Sequence, residues 1–65
     1  MNVIVNGEVA TIKANTLAEL VSHYELDDQL VVTEVDGEII DREHWTHFEL
    51  TEGQRIELVH FVGGG

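Results

Sequence analysis

The 65-residue sequence contains no cysteine and no proline, and its only basic residues are Lys13, Arg42 and Arg55. Without cysteine there is no disulfide to staple the fold, no thiolate metal site and no sulfur nucleophile. Any cysteine chemistry in which the chain takes part must therefore come from another molecule. Thirteen acidic residues against three basic ones leave a net charge of −10. Such a surface repels nucleic-acid phosphates and anionic membranes, so basic proteins are the expected partners; the same charge would also keep a partnerless small protein soluble. No apolar run approaches the roughly 20 residues of a membrane helix, and the opening Met1-Asn2-Val3-Ile4-Val5-Asn6 lacks the basic flank and long apolar core of a signal peptide, so the cytoplasm is the expected location. The single lysine follows no glycine-rich loop, and no Ser-His-Asp order or dinucleotide fingerprint is present. Self-contained catalysis is not expected.

What the chain does have is room for one small core. Val3–Val5 and Val9–Ile12 are β-rich runs separated by Asn6-Gly7, a pair that tolerates the positive φ of a type I′ turn and so predicts a hairpin. The period then changes. Leu17, Leu20, Val21 and Tyr24 fall on one helical face, and Thr16 with Glu19 has the capping-box form, placing a helix from about residue 16 to about Tyr24. Leu30–Val35 reads as a third strand, Asp36-Gly37 as a turn and Glu38-Ile39-Ile40 as a short strand. Asp41 can cap one helical turn that folds Trp45 inward over a sheet edge. Arg55–Val62 reads as the longest strand, running directly into Gly63-Gly64-Gly65. Domain organisation follows: a packed unit over residues 1–62 and a flexible glycine tail over 63–65. Strand, strand, helix, strand, short strand, long strand in so short a chain predicts an α+β roll with the helix across one sheet face.

Strand and helix periods predict burial of Val3, Val5, Leu17, Leu20, Val21, Ile56 and Leu58. Alternation then sends Glu57, Val59 and Phe61 to the opposite face, accompanied by Ile4 and Val32. That face has no second helix to cover it, so Ile4, Val32, Val59 and Phe61 form a candidate partner-binding surface. Elsewhere the chemistry-bearing residues are sparse. His44 and His47 lie beside Glu43, but zinc sites normally take three or four fixed ligands, and surface histidines beside a packed Trp account for the same spacing; no metal site is assigned. Asp27-Asp28 reads as a solvated loop.

A packed domain does not need a terminal run of three glycines. Lacking Cβ, such a run is thin and conformationally free, and at about 3.3 Å per residue it carries a carboxylate roughly 10 Å past the strand. With the Val3-Ile4-Val5-Asn6 opening, Thr16-Leu17-Ala18-Glu19-Leu20, Val35-Asp36-Gly37-Glu38-Ile39-Ile40, Arg42 with Trp45, Glu52-Gly53 and the glycine end, the chain resembles the ThiS family of sulfur carrier proteins of thiamine biosynthesis over nearly its whole length. Two departures are Asp41, where members often have proline, and a third glycine where two suffice.

The resemblance implies a ubiquitin-like β-grasp fold, with a mixed sheet, the first and last strands adjacent and parallel, and one main helix. It implies that the chain is a protein co-substrate and not an enzyme. The Gly65 carboxylate would be adenylated by a ubiquitin-activating-like partner, converted to a thiocarboxylate with sulfur from a donor such as a cysteine desulfurase, and used by thiazole synthase, with Gly63 and Gly64 as the approach. No cofactor is expected on this chain; ATP and metal would belong to the activating enzyme. Alternatives within and beyond the fold are the small subunit of molybdopterin synthase, a ubiquitin-like modifier of target lysines and a non-covalent acidic interaction module.

Overall fold

In the computed structural model the described residues are 1–61; Val62 and the three glycines, and with them the expected boundary at residue 62, lie outside that range. Five strands form one sheet: β1 (Asn2–Val5), β2 (Glu8–Thr11), β3 (Val31–Val35), β4 (Glu38–Ile40) and β5 (Arg55–His60). Their spatial order is β2-β1-β5-β3-β4, with β1 and β5 parallel and every other pair antiparallel. The sheet is mixed, as expected, and the first and last strands are neighbours at its centre.

Both hairpins follow from local chemistry. Asn6 and Gly7 take φ of 50° and 83°, Asp36 and Gly37 take 49° and 88°, and this paired positive φ matches the right-handed twist of the flanking strands. Helix α1 (Leu17–His23) starts at Thr16, whose Oγ1 accepts from the Glu19 amide at 3.2 Å. The Glu19 carboxylate reaches back to the Thr16 hydroxyl and to the amide of Asn15, one residue earlier than the usual capping box. A 3₁₀ helix over Arg42–His47 follows Asp41, but the Asp41 side chain does not make the expected cap; the His44 amide bonds instead to the Asp41 carbonyl at 2.9 Å.

The core lies between one sheet face and α1. Val3 and Val5 of β1, Ile56 and Leu58 of β5, and Leu17, Leu20 and Val21 of α1 are all buried, together with Val31, Val35, Ile12 and Leu50. Trp45 closes the β3–β4 edge: its indole N–H donates to Thr33 Oγ1 at 2.9 Å and to the Ile40 carbonyl at 3.1 Å, while the Thr33 hydroxyl donates to that same carbonyl at 2.8 Å. Thr33 is 1% exposed, so its hydroxyl sits in the core only because both of its hydrogen-bonding functions are met.

Two further expectations need correction. Tyr24 does not extend the buried helical face. It is the C-cap, outside the helix, 37% exposed, with its ring edge-on to His23. The helix closes there because Glu25 turns to φ 55°; its amide donates to Ser22 and that of Leu26 to Val21, the paired bonds of a Schellman ending. The last strand ends at His60, before Phe61, with one further bond from the Phe61 amide to the Leu30 carbonyl at 2.7 Å.

Candidate functional site

The route from sequence to site runs along β5. Its odd-numbered residues face away from α1, and the antiparallel register sets Glu57 opposite Glu34 and Val59 opposite Val32. One step further along the same register, Phe61 meets Leu30. Leu30, Val32, Val59 and Phe61 thus form a four-residue apolar group at the end of β5 that leads into the glycines. All four are exposed, from 36% for Leu30 to 56% for Phe61. Leu30 lies outside the surface expected from the sequence, because its place opposite Phe61 depends on the β3–β5 pairing, a contact between distant segments.

Ile4 does not join this group. It is half-buried on β1, paired with Val9 of β2 and level with Arg55, four residues short of Val59 on the neighbouring strand. Arg55, Glu57 and Glu34 lie between. The open face therefore carries two apolar groups, Ile4 with Val9 at one edge and the tail-side group at the other end, separated by charge. Glu34 and Glu57 are directly opposed like charges, an arrangement that disfavours the sheet locally. Among the described residues the one close contact between a carboxylate and a basic-type side chain is Glu43 with the His44 imidazole at 3.7 Å, so neither Glu34 nor Glu57 has such a partner there. Ile39, paired with Glu34 on β4 and 63% exposed, is a further apolar residue on this face.

The end of β5 is held from both sides. Asn6 sits just past β1, yet its side chain continues the strand pairing: Oδ1 accepts from the Leu58 amide at 2.8 Å and Nδ2 donates to the Leu58 carbonyl at 3.2 Å. On the other side the Phe61 amide is held by Leu30. The positions assigned to the chemistry itself, Gly63, Gly64 and Gly65, lie outside the described residues.

The histidine pair behaves differently from its sequence spacing. His44 gathers with Asp41 and Glu43, their ligand-type atoms within 4.8 Å of one another, and His47 is not part of that group. All three side chains are exposed, and exposed acidic groups of this kind occur widely without an ion. Among the described residues no helix is long and apolar enough to cross a membrane.

Residues 3–65 match the model of the ThiS family. The chain belongs to the ThiS family. It is 42% identical over 50 residues to the sulfur carrier protein ThiS of Bacillus subtilis, an alignment covering 77% of this chain and 76% of that protein. A crystal structure of the thiamine biosynthesis protein ThiS from Geobacter metallireducens superimposes with a TM-score of 0.82 at 32% identity, each chain covered completely. The fold is accordingly the ubiquitin-like β-grasp of ThiS, and the function is that of a sulfur carrier in thiamine biosynthesis. A thiazole synthase of Paramagnetospirillum magneticum is 29% identical over 66 residues, which span all of this chain and 20% of that longer protein.

Proposed function

We propose that the protein carries sulfur as a thiocarboxylate on Gly65 and acts as a co-substrate of other enzymes. The observation that supports this most is the match to the ThiS family, which runs through the glycine end to residue 65. A carboxylate is a poor electrophile until an oxygen is made a leaving group. The chain itself has no glycine-rich phosphate loop and no cysteine with which to do either half of the chemistry. In the proposed cycle the Gly65 carboxylate attacks the α-phosphorus of ATP on an adenylating partner and pyrophosphate leaves. A persulfide on the sulfur-donating machinery, supplied by an enzyme such as a cysteine desulfurase, attacks the acyl carbon and AMP leaves. A second thiol of that machinery then splits the S–S bond, forming a disulfide there and releasing the thiocarboxylate. ATP and its metal ion are held by the partner.

Thiazole synthase is the proposed acceptor, and the thiazole synthase that contains a region similar to this whole chain supports that pairing. The tail-side group Leu30, Val32, Val59 and Phe61 is the proposed docking surface for the adenylating partner, with the cytoplasm as the proposed place of work. Ile4 belongs to a separate group, for which no role is proposed.

Reconstitution with the adenylating partner, ATP and a sulfur donor tests the cycle. Gly64→Val should abolish adenylation without lowering the unfolding temperature, because a side chain both crowds the approach to ATP and restricts its backbone. Protein whose Gly65 carboxylate is capped as an amide should acquire no sulfur; loading of the capped protein would overturn the proposed cycle.

A further inference from the structure

The backbone of β5 has two edges, and they end at different places. Odd residues turn their N–H and C=O groups toward β3: the Arg55 carbonyl accepts from Asp36 at 2.8 Å, and the Phe61 amide donates to Leu30. Even residues turn theirs toward β1, where the Gln54 carbonyl accepts from Ile4 at 2.8 Å and the Ile56 carbonyl from Asn6 at 2.9 Å. Leu58, the next even residue, is satisfied by the Asn6 side chain. At that level the chain turns back through Gly7 into β2, which lies on the far side of β1. Alternation directs the amide and carbonyl of His60 to the same side, beyond the end of the hairpin. Among the described residues neither group has a main-chain or side-chain partner there. The β3 side is paired through Phe61 while the β1 side stops at Leu58.

We infer that this open edge at His60 receives an extended main-chain segment of the adenylating partner, which pairs with β5 as an added strand and holds the tail straight as it enters the ATP site. The inference rests on the proposed function. It identifies the contact as backbone pairing at one residue, beside the apolar group that docks through side chains. Strand addition at a free sheet edge draws its affinity from main-chain bonds, and it suits this position because an already extended strand loses little further freedom when its continuation is paired. A second copy of the chain is disfavoured as the occupant, since each copy carries a net charge of −10 and the two would repel.

Two measurements test it. The first is adenylation of His60→Pro by the adenylating enzyme of the same source with ATP, beside His60→Ala. Proline removes the N–H at a strand edge where the folded chain does not use it, so the amide spectrum should show an intact fold. The Pro variant should lose about tenfold in kcat/KM, as expected for a donor removed from an acceptor that then stays unpaired, while the Ala variant stays within about twofold, the scale of a surface substitution. The second is hydrogen exchange on the wild-type protein. The Phe61 amide should be protected with and without the enzyme, and the His60 amide should become protected only in the complex. If wild type is adenylated but the Pro and Ala variants behave alike, or if His60 exchanges equally fast in the complex, the strand inference is wrong and the proposed function stands. If wild type is not adenylated at all, the proposed function itself fails.

Discussion

Replacing Val59 by Asp should separate docking from folding, with Val9→Asp as the matched control. Both residues are apolar, exposed and on the open face, Val59 at 51% and Val9 at 73%, but only Val59 belongs to the group beside the tail. Burying a whole Val side chain is worth about 1.5 to 3 kcal/mol; the half of Val59 still exposed can therefore contribute about 1 kcal/mol when a partner covers it. Aspartate forfeits that contribution and adds a carboxylate two residues from Glu57, which a partner must desolvate at a further cost of about 1 to 2 kcal/mol. The sum corresponds to about a 30- to 150-fold weaker Kd for the adenylating enzyme. The fold should lose no more than about 1 kcal/mol from strand propensity, or about 7 °C for a chain of this size. Titration calorimetry well below the unfolding midpoint reads the affinity, and thermal unfolding of the free variants checks the fold. Val9→Asp should bind like wild type. Equal losses for both variants would mean that charge anywhere on the face matters and the tail-side group does not; no loss for Val59→Asp would remove that group from the interface.

Two further predictions concern the scaffold. Thr33→Val removes the hydroxyl between Trp45 and Ile40 but leaves the indole N–H its 3.1 Å bond to the Ile40 carbonyl, so denaturant unfolding should show a loss of about 1 to 2 kcal/mol; a stabilised variant would show that the buried hydroxyl is a burden on the core. Glu25→Gly should stabilise the protein by about 1 kcal/mol, because Glu25 holds φ at 55°, a conformation that glycine adopts without steric cost, and an unchanged or lower unfolding midpoint would contradict this reading of the helix end.

The parts of the fold that were legible in the sequence are those decided within a few residues. Asn6-Gly7 and Asp36-Gly37 announce their turns because each pair must take positive φ, and Thr16 with Glu19 announces the helix start because both partners lie within one turn. The helix end was obscured because Glu25, and not a glycine, occupies the left-handed position. The site was half legible for a related reason. Alternation along β5 picks out Val59 and Phe61 from local spacing, and the same reasoning on the neighbouring strand picks out Val32. The distance of Ile4 from them, the membership of Leu30, the opposed Glu34 and Glu57, and the Asn6 clamp on Leu58 all depend on pairings between segments far apart in the chain. Those pairings are fixed by the whole sheet closing on α1, and no short window of sequence contains them.

Sulfur carriage is tested most directly by the intact mass of the protein purified from its native cells, without reducing agent, before and after treatment with an alkylating reagent that labels thiocarboxylates. With no cysteine in the chain, no thiol side chain competes for the label. The account predicts a population heavier by the replacement of one oxygen with one sulfur, alkylated once, with fragmentation placing the change on Gly65. A single unmodified mass, from cells actively making thiamine, or a sulfur placed on any other residue, would contradict it.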